Sequence, residues 1–495
     1  IIFNGYGYQF ARGGTAFTDY RIIQKAIQEN TPYFGKSYTK ERGIAFFLQG
    51  TYTYDNRYVF AGTLNYEGSN QLGRSRSARW LPTWNASARW NVSNEKFLED
   101  KSTISNLAFR LSYGLIAGLG AASNALAIFE NSIANRYNSA DRESMITIQS
   151  LQNSELTWEK VYETNIGIEL GLFKNRINLS LDLYQKNSKD LIDYVRTSGI
   201  GGEIIKLANN ATMVTKGIEL ALDTKNIKTD DFSWNTGINF AYFNQEITSL
   251  LYKPNVFNLV REVGGNVVGG ARNTLYSYDF RGLNDKGLPV FNLRNGSTDY
   301  ADIDFQNRQD ILSYLKKEGA VEPNLTAGLS NTFKYKNWEF SFLITASAGN
   351  KIRKADQYTV DYNDLSVFPK EMKNRWVRTG DEKITNIPSI PSKFTLNEVG
   401  EATLRRVYNA YNHSTARVVD GSFIRMKSMS LSYTFAKDVL DALHVNNLTL
   451  RLQATNPFLI YAHKDLNGQD PEFFRTGGVA YPVSAQYTFT INLGI

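Results

Sequence analysis

The chain of 495 residues has no cysteine and three histidines. The missing thiols exclude disulfide staples, thiolate metal sites and cysteine nucleophiles. Proline is scarce at 11 residues. No stretch approaches the roughly 18 uninterrupted apolar residues that a membrane-spanning helix needs. The mean hydropathy of −0.36 excludes a bundle of membrane helices. A β-barrel escapes both tests, because only every second residue faces lipid. There is no Pro- or Ser-rich linker, no low-complexity tract, no composition break and no repeat at a solenoid or propeller period. Lys and Arg number 55 against 48 Asp and Glu. The signs are interspersed, so the net charge of +7 describes a solvated surface and implies no nucleic-acid partner.

Catalytic patterns are equally sparse. His413, His444 and His463 stand in no HExxH-like frame, and surface positions are expected for all three. Asp465 to Asp470 fails the spacing of a calcium loop, and Gly264 to Gly270 lacks the Lys-Ser/Thr of a phosphate loop, so a flexible loop is expected there. The chain is expected to be no enzyme, with no catalytic residue, no metal site and no cofactor.

What is present is a period of two. Ile177, Leu179, Leu181 and Leu183 alternate with Asn178, Ser180 and Asp182. Ile166, Ile168, Leu170 and Leu172 alternate with Asn165, Gly167, Glu169 and Gly171, and the beat returns at Leu448 to Gln453 and Tyr487 to Ile495. Period two means strands with one apolar and one polar face. Tyr and Phe, 29 of each, suit interfacial aromatic belts. Tight turns at Asp55-Asn56, Lys174 to Arg176, Asn226 to Asp231, Asn284 to Gly287 and Tyr335 to Asn337 alternate with long connections. Two fuller turns lie at Ser93 to Ser105 and Ala436 to Asn447, the second with room for one or two helical turns. Short turns on one side and long loops on the other describe a transmembrane barrel. Roughly sixteen strands follow from this scheme, over 2–11, 43–54, 57–67, 82–92, 105–115, 157–172, 175–187, 213–224, 231–243, 272–282, 287–293, 323–334, 338–348, 419–435, 447–458 and 482–494. The expected fold class is all-β, an antiparallel transmembrane β-barrel with its long loops facing the cell exterior.

Several segments, in order along the chain, resemble the SusC/RagA family of TonB-dependent outer-membrane transporters. They are Leu156-Thr157-Trp158-Glu159-Lys160 with Asn165 to Glu169, Lys216-Gly217-Ile218-Glu219-Leu220, Arg375-Trp376 with Gly380-Asp381-Glu382, Asp420-Gly421-Ser422-Phe423-Ile424-Arg425-Met426-Lys427 with Leu431 to Phe435, and Asn456-Pro457-Phe458 with Gln469-Asp470-Pro471-Glu472. The family differs at Asn65 to Asn70, where it carries more charge, and at Ile495, where it favours Phe. The resemblance covers the carboxy-terminal part of a barrel of about 22 strands whose lumen holds a plug. It implies that residues 1–495 are an incomplete barrel, with the plug and the first strands supplied by the same precursor or by a second chain.

The resemblance further implies import of a large polar nutrient, an oligosaccharide or an oligopeptide, into a Gram-negative cell envelope. A SusD-like surface lipoprotein would cap the mouth, the TonB energy complex would act through the plug, outer-membrane lipid would surround the wall, and a dimer of transporters is a further partner. A passive outer-membrane pore and a soluble lectin-like β protein are the alternatives. Trp80, Tyr252 and Phe257 are the substrate-binding candidates, as loop aromatics able to stack on sugar faces; belt or loop packing is their competing reading.

Overall fold

The computed structural model describes residues 2–10, 34–73, 75–98, 103–120, 127–135, 142–150, 152–196, 199, 205–362, 368–472 and 484–494. Its main feature is one antiparallel sheet of fourteen strands, each beside its neighbours in sequence. They are β1 (Ile2–Phe10), β2 (Phe34–Tyr54), β3 (Tyr58–Ser69), β4 (Trp80–Asn91), β5 (Ile104–Gly118), β6 (Glu159–Leu172), β7 (Ile177–Arg196), β8 (Ile205–Lys228), β9 (Phe232–Leu250), β10 (Leu325–Tyr335), β11 (Trp338–Ala348), β12 (Phe423–Thr434), β13 (Asn447–Ala462) and β14 (Gln486–Gly494).

Register carries the period of two from strand to strand. Leu111 faces Ile166, Ile166 faces Leu183, Leu183 faces Ile218 and Ile218 faces Tyr242. On the far side of the sheet, Phe340, Leu431, Leu452 and Phe489 form another such row. The alternate positions form a polar row, Gly167, Asp182 and Glu219. The apolar face is not buried: Ile166 is 50% exposed, Leu452 55% and Phe489 62%. A continuous exposed apolar sheet face of this extent fits hydrocarbon and not water. Near the tight turns the face turns aromatic. Tyr58, Trp90 and Phe109 run side by side, as do Trp234, Phe333 and Phe340, with ring centroids 5.6 to 6.4 Å apart. These are interfacial belt positions.

The tight ends follow the expected turns. Asp55 and Asn56 take positive φ, as do Lys174 and Asn175. Asn and Asp tolerate that conformation because their short side chains bond locally. The fuller turn after β12 holds a short helix, Lys437–Leu443.

Three expectations are corrected. First, the sheet has fourteen strands among the described residues, against roughly sixteen expected. Segments 272–282 and 287–293 leave the wall and pair elsewhere: Thr274–Tyr278 with Leu315–Ala320, and Phe280–Leu283 with Pro289–Asn292. The Asn284 to Gly287 turn goes with them. Removing two strands together leaves the alternation of tight and long connections intact. Second, the long connection expected between strands 175–187 and 213–224 is largely strand. β7, β8 and β9 have 20, 24 and 19 residues, against about ten for a bilayer crossing, and their excess lies at the long-loop end. Third, β1 meets only the stretch of β2 that precedes the expected strand 43–54. It pairs with residues 34–42 of β2, whereas β3 pairs with residues 43–54.

The dry core lies in the loops. Residues 251–324, 349–362 and 368–422 fold together around Val256, Leu259, Tyr278, Phe291, Tyr358, Leu404 and Tyr408, each almost wholly buried. Helices α1 (Lys393–Val399) and α2 (Glu401–Asn412) belong to this unit. From α2 it takes Leu404, Val407, Tyr408 and Tyr411, one face of a helical turn pattern.

Candidate functional site: the polar face and the mouth above it

The polar face carries a cross-strand charge network. Arg89 of β4 holds Glu169 of β6 with two hydrogen bonds, 3.0 and 2.6 Å long. Arg110 of β5 donates to Asp182 of β7 at 3.0 Å, and its Nε lies 3.2 Å from Glu169. Alternation puts all four on one face, and register brings them level. They are half-exposed, so each pair contributes little stability by itself; together they fix a row of charge over four strands. Beside them runs a trough of about 590 Å³ lined by Asp182, Glu219, Asn239, Thr326, Thr345 and Lys427. Amide, hydroxyl and charged groups of this kind exchange hydrogen bonds readily with a polar solute.

The loop segments that carry the resemblance prove to be joints. Arg425 projects from β12 and meets Asp470, which returns from the loop after β13. Its Nη2 lies 2.5 Å from both carboxylate oxygens, both side chains are 4% exposed, and Glu472 lies 3.2 Å from its Nε. Asp420 accepts from the Ser422 amide at 2.8 Å and from Lys351 at 2.9 Å. Gly421 packs so close to Asn350 that a Cβ would lie 2.2 Å from its amide nitrogen. Trp376 covers Gly287 and donates to Glu382 at 3.1 Å. The Arg378 and Val377 amides hold the Asp381 carboxyl below the usual range. Trp158 is buried and donates to the Arg79 carbonyl at 3.0 Å, tying the loop after β3 to the start of β6. Gly217 leaves room for the Tyr184 ring.

Arg353 was unremarked in the sequence. It is 2% exposed and donates to the Ser414 and Tyr276 carbonyls and to Ser277. Burial pushes its pKa down to about 10, so it stays charged at neutral pH.

Of the three aromatic candidates, the structure brings two together. Tyr252 and Phe257 line one cavity of about 1060 Å³ above the long-loop ends of β7 to β9. Arg308 lies over the Tyr252 ring at 5.4 Å and Arg261 over Phe257 at 5.6 Å. Trp80 stands apart. Its ring stacks on Tyr66 at 5.0 Å and lies against Gly68. Register gives it the same parity as Trp84, on the outward face. The Gly264 to Gly270 stretch is an ordered turn, closed by paired amide–carbonyl bonds between Gly265 and Thr274.

His413 corrects the surface expectation: it is 4% exposed. Its Nδ1 lies 2.8 Å from the Asn409 carbonyl, and Phe305 meets the ring edge-on. Burial pushes its pKa down; Asp356 and Glu262 oppose that shift and Arg353 adds to it. The folded-state value therefore lies below the unfolded value of about 6.5. The unfolded chain takes the proton first, so this contribution is full above about pH 6.5 and is lost as pH falls below it. Protease resistance of the loop unit on intact cells is expected to fall between about pH 7 and about pH 5, and His413→Gln should flatten that fall. Identical pH profiles for both proteins would refute the assignment.

A family profile described as TonB dependent receptor-like, beta-barrel, matches residues 2–456. The TonB-dependent receptor SusC of Bacteroides thetaiotaomicron is 26% identical over 516 residues, spanning 100% of this chain and 47% of SusC. The TonB-dependent receptor P3 of Formosa agariphila is 24% identical, over 95% of this chain and 47% of that protein. The chain thus spans about half the length of the curated relatives it matches. Among solved structures, the RagAB peptide transporter superposes with a TM-score of 0.75 at 21% identity, over 94% of this chain and 49% of that one. The exposed apolar face, the polar trough and the profile match agree: this chain belongs to the TonB-dependent receptor family of outer-membrane β-barrels.

Proposed function

We propose that the chain supplies wall, lumen lining and mouth to an energised importer of a large polar nutrient, an oligosaccharide or an oligopeptide. The observation that carries this is the pairing of a charged, trough-bearing inner face with a loop unit large enough to have its own dry core. A passive pore has little use for so elaborate a mouth. The whole-chain likeness to SusC supports a SusD-like lipoprotein over the mouth and energy from the TonB complex. The rest of the barrel and a plug come from the same precursor or a second chain. Among the described strands, β14 pairs with β13 alone and residues 44–54 of β2 with β3 alone. Unpaired backbone groups facing lipid cost several kcal/mol each, which supports further strands at these two edges.

The test is uptake. Cells carrying the full receptor are expected to accumulate labelled oligosaccharides or oligopeptides only with a functional TonB system. Equal uptake without TonB would overturn the reading in favour of a passive pore.

A further inference from the structure

Two cavities open side by side at the outer end of the wall, and Leu250, Tyr252 and Pro254 line both. One, of about 520 Å³, is mostly apolar, with Val267, Val268, Ile311 and Leu312 alongside Lys253, Arg308, Asp310 and Ser313. Val268 is 54% exposed and Leu312 49%, so apolar surface stands open to whatever enters the mouth. The other is the 1060 Å³ cavity, and its charged lining is Arg196, Lys206 and Arg261 against Asp193.

Its asparagines are already engaged. Asn255 and Asn258 cap the short helix Val256–Val260 reciprocally. The Asn210 side chain receives the Tyr252 amide, and that of Asn266 the Asn273 amide. The three cations have no carboxylate in ion-pair range among the described residues. The Tyr252 and Phe257 rings each have one face beneath a guanidinium, which removes stacking surface. Neutral sugar hydroxyls gain nothing from an apolar compartment and leave the cations unanswered. An anionic group with an apolar neighbour answers both.

We propose that the paired cavity is a side-chain-reading subsite for an oligopeptide. An apolar side chain enters between Val267, Val268, Ile311 and Leu312, and a carboxylate lies at Arg196, Lys206 and Arg261. The proposal rests on the import reading and narrows its substrate class. It also changes the roles of Tyr252 and Phe257, which become the partition and rim of the subsite, not sugar platforms.

The test uses the purified full-length receptor in detergent and a short alanine–serine peptide carrying one leucine and one glutamate, amidated at its C-terminus. Replacing the leucine by serine, or the glutamate by glutamine, is expected to weaken binding at least about tenfold. Restoring a free C-terminus to the glutamine peptide shows whether a terminal carboxylate serves equally. Leu312→Asp should abolish the leucine preference alone, and Lys206→Glu with Arg261→Glu the glutamate preference alone. The peptide series on the unaltered receptor decides the matter even if a variant fails to fold.

Peptide binding indifferent to both side chains would overturn the proposal. So would maltoheptaose or an oligouronate binding more tightly than every peptide. Energised uptake is scored separately in cells. A peptide bound with these preferences but accumulated equally without TonB would sink the import reading and leave the subsite standing.

Discussion

Arg425→Met is expected to release the loop after β13 at a cost of about 3–5 kcal/mol, because it strands the Asp470 carboxylate in a site from which water is excluded. The ion pair joins β12 to a segment held besides by Glu472 against Lys427 and by buried Leu466 against Ile352 and Val419. Both partners are almost fully buried, and the guanidinium is also stacked near Phe423. The double variant Arg425→Met with Asp470→Leu removes both charges and should recover most of the loss, since an apolar pair of similar volume avoids desolvation. Cleavage of residues 463–472 by added protease on intact cells reads the effect. If the single variant resists cleavage as well as the parent, the pair is not the anchor. If the double variant is as sensitive as the single, burial of an unpaired charge is not the cause.

Leu404→Asp should unravel the mouth and spare the wall. Leu404 is completely buried on α2, inside the cluster that joins residues 251–324 to 349–362 and 368–422. Leu404→Ala alone is expected to cost about 2–5 kcal/mol through lost contacts and a cavity. A carboxylate there adds the penalty of an unpaired buried charge and exceeds what the unit can withstand. The wall holds through its own backbone ladders and shares little core with the loops. Heat-modifiable migration of the barrel should therefore persist while protease cuts the loops. Loss of both together would show that mouth and wall fold as one cooperative unit, contrary to the separate core seen here.

The wall was legible because its signal is local. A strand with one face in lipid and one in water writes period two into consecutive residues, and the tight turns carry Asn, Asp and Gly where positive φ is needed. All fourteen sheet strands overlap the expected spans for this reason. The two misassigned segments failed for the same reason in reverse. Thr274–Tyr278 buries all five side chains, so neither of its faces is wet, and a short strand in a dry core looks like a short strand in a wall. Leu404, Val407, Tyr408 and Tyr411 have helical spacing, but they lie in the long connection between the expected strands 338–348 and 419–435. His413 and Arg353 were unreadable because loops are expected at the surface; only a loop unit with its own core makes a buried histidine and a buried guanidinium.

The candidate site divides along the same line. The charge row of Arg89, Arg110, Glu169 and Asp182 follows from alternation, which assigns each to the polar face; that they meet follows from register, a relation between strands that no single segment encodes. Sequence alone determined the all-β class, the face each wall residue presents and the side that carries the long loops, since those depend on neighbours one and two residues away. Tertiary structure decided which strands join the wall, that two long loops share a core, and that Arg425 meets Asp470 across 45 residues, because contacts between distant segments are chosen by packing and pairing energies that emerge only when the chain is folded.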